Sequence, residues 1–281
     1  MICASVILFV SRTLQIHGRK LRGWVKRIYN PFSNLSDAQR VELHSHNPDF
    51  WAVAYNMLGI ASRNFGQIQV AIEHFETGLK YASDHWAAII HGNLSYAHSS
   101  QSEFGTALHH GRQSVTLSAD ERTLSYANGN IGIALIGLGQ YDEAEAALLR
   151  DIDLAGDKNA EGVAHAEGLL GTIDNARGFY SAGIAKLAGS VEKFLRFEND
   201  FRELEFLSHL IEALTHRDWS EGQNILLSRH AELKRRTQNL RETSRLENPT
   251  WRKTTAHLED FDGEQRSASE YVRCLKELAG N

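Results

Sequence analysis

A chain of 281 residues, 42% hydrophobic and 23% charged, can bury a large core or an extended stack of repeats, and this composition excludes pervasive disorder. Three prolines and the lack of strict alternation among Val, Ile and Thr leave an all-β architecture without support. The net charge of -5 is uneven: residues 1–46 carry seven Lys/Arg against two Asp/Glu, whereas residues 47–200 carry ten against nineteen, an acidic body that disfavours non-specific nucleic-acid binding.

Residues 2–10, Ile-Cys-Ala-Ser-Val-Ile-Leu-Phe-Val, are an apolar run about half as long as a membrane-spanning helix requires. Arg12, Arg19, Lys20, Arg22, Lys26 and Arg27 follow the run instead of preceding it, which is the reverse of a secretory signal. Val10, Leu14, Leu21, Trp24 and Ile28 form one stripe of an amphipathic helix. Two roles are open to residues 1–29: a helix packed on the first repeat, or a peripheral membrane anchor combining apolar burial with attraction to anionic lipid. Pro31 ends that helix, and Ser36 with Gln39 has capping-box spacing for a short helix over about 37–46. Asn47-Pro48 supplies the next start.

From there a repeat governs the chain. Units begin at about Ala52, Ala88, Ser125, Ala164 and Glu203, in steps of 36, 37, 39 and 39 residues. The small residue of the first helix is Gly59, Ser95, Gly132 and Gly171, replaced by Leu210 in the fifth unit. The turn falls at Gly66, Ser102, Gly139, Gly178 and Arg217, followed two residues later by Ile68, Phe104, Tyr141, Tyr180 and Trp219. A small residue returns at Ala71, Ala107, Ala144, Gly183 and Gly222, and the core position is Phe75, Gly111, Leu148, Leu187 and Leu226. Small residues let paired helix axes approach, and a ring after the turn fills the wedge where they diverge. No unit buries its stripe alone, so neighbours must stack. Residues 230–247 are polar and helix-prone up to Pro249. Trp251, Leu258 and Phe261, then Gly263, Ala268, Val272 and Leu275, form a degenerate sixth pair that serves as an end cap.

The spacing of Gly132, Gly139, Tyr141, Ala144 and Leu148 resembles the tetratricopeptide repeat, over roughly residues 52–236. The longer steps and the Gly156-Asp157-Lys158 loop look like the variant found in bacterial regulators and signalling scaffolds. The resemblance implies an all-α fold, an α-solenoid that winds antiparallel helix pairs into a right-handed superhelix. The expected organisation is a basic amphipathic segment over 1–46, a repeat array of about five pairs over 47–240 and degenerate capping helices over 241–281. In such arrays the first helices line a concave groove. Its equivalent positions here are Asn93 and Asn130 at the sixth, Tyr96 and Ile133 at the ninth, Arg63 and Asn175 at the twelfth, and Tyr126 and His165 at the second. Ile60, Thr172 and Ile211 complete the ninth-position set. Two carboxamides one repeat apart could hold the backbone of an extended peptide, or each could bond the adjacent repeat's backbone. The family's carboxylate clamp for chaperone tails needs Lys and Arg at sites where this chain has neither.

Catalytic and metal chemistry find little support. The glycines at 129, 132, 137 and 139 lack a preceding strand, and no Gly-Lys-Ser/Thr occurs, so a phosphate loop is excluded. Gly-x-Ser-x-Gly and His-Glu-x-x-His are absent as well. Cys3 and Cys274 can form neither a disulfide framework nor a cysteine zinc site, which fits a cytoplasmic setting. Among fourteen histidines, His44 with His46, His109 with His110, and His91 with His98 are near in sequence or share a helix face, yet nothing specifies three converging ligands. Asp260-Phe261-Asp262-Gly263 lacks the rest of a calcium loop. The expectation is a non-enzymatic scaffold without a cofactor, binding a protein or peptide segment in its concave groove. The alternative is a regulatory sensor domain whose superhelix pitch responds to a peptide and acts on a partner protein.

Overall fold

The computed structural model describes residues 49–64, 66–216, 222–244 and 268–280. The readings of residues 1–48, of Arg217 and Trp219, and of Trp251 through Gly263 lie outside these. The described residues divide into two compact units, the first within Met1–Trp86 and Asn239–Glu247, the second within Ala87–Gln238 and Asn248–Asn281.

Among the described residues every regular element is helical. The order is α1 (Phe50–Asn64), α2 (Ile68–Leu79), α3 (Asp84–Ser100), α4 (Phe104–Leu117), α5 (Glu121–Gly137) and α6 (Tyr141–Ala155). A 3₁₀ turn over Gly156–Asn159 leads to α7 (Ala160–Ala176), α8 (Tyr180–Arg196), α9 (Asp200–Thr215), α10 (Gln223–Ser244) and α11 (Ala268–Ala279). Asp120, Asn159 and Asn199 cap α5, α7 and α9, accepting from the backbone N–H of Thr123, Gly162 and Arg202 at 2.9, 3.0 and 3.2 Å. No helix among the described residues is long and apolar enough to cross a membrane.

Within each pair the small residues decide how closely the helices approach. In the first unit, a β-carbon on Gly59 would stand 2.3 Å from the Phe75 ring. In the second unit, one on Gly132 would stand 2.6 Å from Leu148, and one on Gly171 would meet the Gly183 carbonyl at 3.0 Å. Phe75, Leu148 and Leu187 are fully buried against these gaps, each contributing about 1.5–3 kcal/mol. The rings after the turns reach further than the wedge of their own pair. Phe104 lies over Gly137 of the next pair, and Tyr180 stacks on His216 with centroids 4.7 Å apart. The second unit is thereby an α-solenoid of stacked pairs, with one apolar core running from Ala107 to Leu275. In α11 the buried residues are Tyr271, Cys274 and Leu275, while Val272 is half-buried.

A polar tie recurs in each pair of the second unit, always between residues 26 apart. Ser114 Oγ donates to the Ala88 carbonyl at 2.7 Å, and Ser190 Oγ donates to that of Ala164 at 2.8 Å. Ser125 Oγ donates to Asp151 at 2.6 Å, and Arg229 grips Glu203 through Nε and Nη2 at 2.8 and 2.9 Å. The sequence reading treats Ser125 and Glu203 only as unit markers, whereas here they are partners in the ties.

The turns adopt the left-handed conformation at Gly66, Ser102, Gly139 and Gly178, with φ of 70°, 63°, 73° and 82°. A side chain there costs about 1 kcal/mol, and Ser102 bears that strain where Gly66, Gly139 and Gly178 do not. Ser102→Gly should raise the thermal midpoint by about 2–4 °C, and Gly139→Ala should lower it, both followed by circular dichroism.

Candidate groove on the inner helices

In the second unit, residues of the first helices α3, α5 and α7 come within electrostatic reach of Arg202 on α9. On α9, Arg202 Nη1 donates to Glu205 Oε2 at 2.6 Å, and each side chain keeps 27% of its surface accessible. Burial works against the Arg202 cation, but Glu205 and the phenols of Tyr96 and Tyr126 more than compensate, so its pKa is raised. The guanidinium is therefore within electrostatic reach of phenols two and three helix pairs before its own. Burial would raise the Glu205 carboxyl, yet Arg202, with His165 and His209 nearby, holds it below its ordinary range.

His165, on α7, packs edge-on against Phe206 with centroids 5.5 Å apart. Burial, reinforced by Arg202, pushes its pKa down to about 3, so the ring is neutral near pH 7. Its Nε2 is buried without a hydrogen-bond partner. Tyr126 is 40% exposed and its hydroxyl reaches Asn93 Oδ1 at 3.5 Å.

Of the residues read from sequence, Tyr96, Tyr126 and His165 lie within electrostatic reach of Arg202, and Asn93 meets Tyr126. Asn130 is buried and donates from Nδ2 to the Gly92 carbonyl at 2.9 Å, bracing α5 on α3, the second of the roles open to it. Ile133 is half-buried against the core. Asn175 turns toward α8, its Oδ1 occupying the space where a β-carbon of Gly183 would stand. Arg63, half-buried at the end of α1, belongs to the first unit. The sequence reading missed Arg202 and Glu205. In α9 the ninth-position Ile211 is buried with Leu204, Leu207 and Leu210, and the open face runs instead through Arg202, Glu205 and His209. The signal available in sequence was Leu210 itself, which breaks the small-residue register and so announces a different helix face.

A histidine cluster lies elsewhere in the same unit. His91 Nδ1 and His110 Nδ1 are 2.9 Å apart, His98 stacks on His110 at 5.3 Å, and His98 Nδ1 contacts Glu103 at 2.6 Å. Burial and the neighbouring His91, His98 and His109 push His110 down to about 4. Among the described residues no group of three or more His, Cys, Asp or Glu is placed to hold a metal ion.

The tetratricopeptide repeat family matches residues 125–157, which take in most of α5, the turn at Gly139 and all of α6. Residues 125–157 are a tetratricopeptide repeat. Among solved structures, YrrB, a TPR protein with an unusual peptide-binding site, is similar at 13% identity and a TM-score of 0.43, over 69% of this chain and 92% of its own. PilF of Pseudomonas aeruginosa is similar at 15% identity and a TM-score of 0.39, over 83% and 89%. BtubC from P. vanneervenii is similar at 13% identity and a TM-score of 0.45, over 87% and 96%. No curated protein sequence matches the chain.

Inside this tetratricopeptide repeat, the tie between Ser125 and Asp151 places a carboxyl beneath Gly129, where a β-carbon would stand 2.7 Å from Asp151 Oδ2. Burial raises the Asp151 pKa to about 6, against the opposing effect of the Ser125 hydrogen bond. A raised carboxyl pKa means that the folded chain binds more protons than the unfolded chain between about pH 4 and 6, so this group's contribution to stability falls as pH rises through that window. Asp151→Asn should therefore be more stable than the parent at pH 7.5 by about 1–3 kcal/mol, with the difference vanishing near pH 4, as read by denaturant unfolding across pH.

Proposed function

We propose that the chain is a non-enzymatic scaffold whose second unit holds an extended segment of a partner protein in the hollow lined by α3, α5, α7 and α9. Tetratricopeptide repeats bind proteins and peptides, and the second unit stacks such pairs on a continuous core. The observation that carries the reading is the approach of Tyr96, Tyr126 and His165 to Arg202 and its partner Glu205, which gathers polar side chains from four successive first helices. Packing alone does not require such a gathering. A concave face with aromatic side walls and polar groups at its base accommodates an extended chain by combining main-chain hydrogen bonds with apolar contact. Under this reading Asn130 acts indirectly, by fixing α5 against α3.

Peptides selected by display on the intact chain should lose at least about tenfold in affinity to Tyr126→Ala and be unaffected by Leu149→Ala, an exposed site on the outer helix α6, as read by calorimetry. Selected peptides that tolerate Tyr126→Ala but not Leu149→Ala would move the binding face off the hollow.

A further inference from the structure

The hydrogen bonds left unmade in the hollow point to one kind of chemical group. Arg202 spends Nη1 on Glu205 Oε2, and among the described residues its Nε and Nη2 have no hydrogen-bond partner. Glu205 spends Oε2 on that bond, and its Oε1 is likewise unpartnered. The pair thus presents charged N–H donors and a charged acceptor oxygen side by side, both partly accessible to solvent.

Charge limits what can dock there. Cation and anion cancel, and the adjoining His165 ring is neutral. A carboxylate would satisfy Arg202 while standing against Glu205, and an ammonium would satisfy Glu205 while standing against Arg202. Each arrangement sets like charges together in a poorly solvated site. A neutral group carrying both an acceptor and a donor meets no such penalty, and both of its hydrogen bonds are charge-assisted. A trans peptide group is neutral too, but its C=O and N–H point in opposite directions and cannot meet adjacent partners together. A primary carboxamide presents C=O and N–H on one edge.

We propose that the Arg202–Glu205 pair is a recognition site for a side-chain carboxamide, a Gln or Asn of the bound segment, whose oxygen accepts from Arg202 and whose NH₂ donates to Glu205. Tyr96 and Tyr126 supply the rings on which the aliphatic stem of that side chain rests. The assignment deepens the groove reading and rests on it.

The test titrates the intact chain with N-acetylglutaminamide, following the Arg Nε–H resonances by NMR. The matched probes are the N-acetyl amides of glutamate and lysine, and free glycine as a zwitterion. The glutamine probe should shift the Arg202 signal and saturate in the millimolar range, with the glutamate and lysine probes at least about tenfold weaker. Glu205→Gln, nearly isosteric, should reverse the order and admit the glutamate probe, and retention of its thermal midpoint separates this effect from unfolding. Equal or tighter binding of the charged probes or of glycine, or an unchanged order in Glu205→Gln, overturns the assignment. A display-selected peptide that depends on Tyr126 but contains no Gln or Asn overturns it as well, while leaving the groove reading intact.

Discussion

Everything in the second unit depends on how closely the two helices of a pair can approach. Gly132 makes room for the Leu148 side chain and Gly171 lies against the Gly183 carbonyl, and a single added carbon at either glycine would crowd its neighbour. That distance sets the angle of each pair, the angle sets how the next pair stacks, and the stacking brings Tyr96, Tyr126 and His165 within electrostatic reach of Arg202. The rings at Phe104 and Tyr180 carry the geometry onward, because each packs on the pair that follows.

The hollow is built from a different economy of interactions. Its apolar support lies behind it, in Phe206 stacked on Phe194 at 5.7 Å, while the groups that face inward are phenols, a neutral imidazole and an ion pair. Such groups would be poor material for a core, since an ion pair replaced by well-packed apolar residues is often at least as stable. Directional bonds held in place by an apolar wall are what the proposed recognition surface requires.

Much of this was legible in the sequence because it depends on short-range geometry. Gly132, Gly139 and Leu148 fall where sterics permit few alternatives, and the structure places each where the spacing predicts. Tyr96, Tyr126 and His165 followed from the same register. Arg202 and Glu205 did not, because α9 buries Leu204, Leu207, Leu210 and Ile211 and turns another face outward, a rotation set by packing against the rest of the core. Asn130 shows a second limit: its position was readable, whereas its bond to the Gly92 carbonyl depends on a contact 38 residues away. The ties between residues 26 apart escaped for the same reason, being written in residue types as unlike as Ser, Asp and Arg.

Those ties come in three kinds: hydroxyl to carbonyl in α3–α4 and α7–α8, hydroxyl to carboxylate in α5–α6, and guanidinium to carboxylate in α9–α10. A chain assembled from near-identical units faces an ambiguity of addressing, since any first helix could accept the second helix of a neighbour, or of another copy. Exchanging the partners of Glu203 and Ala88 would strand a buried carboxylate opposite a serine and bury a guanidinium against a bare carbonyl. The pairs α5–α6 and α9–α10 therefore each carry a key that no other pair in the unit shares, which disfavours exchange of their second helices.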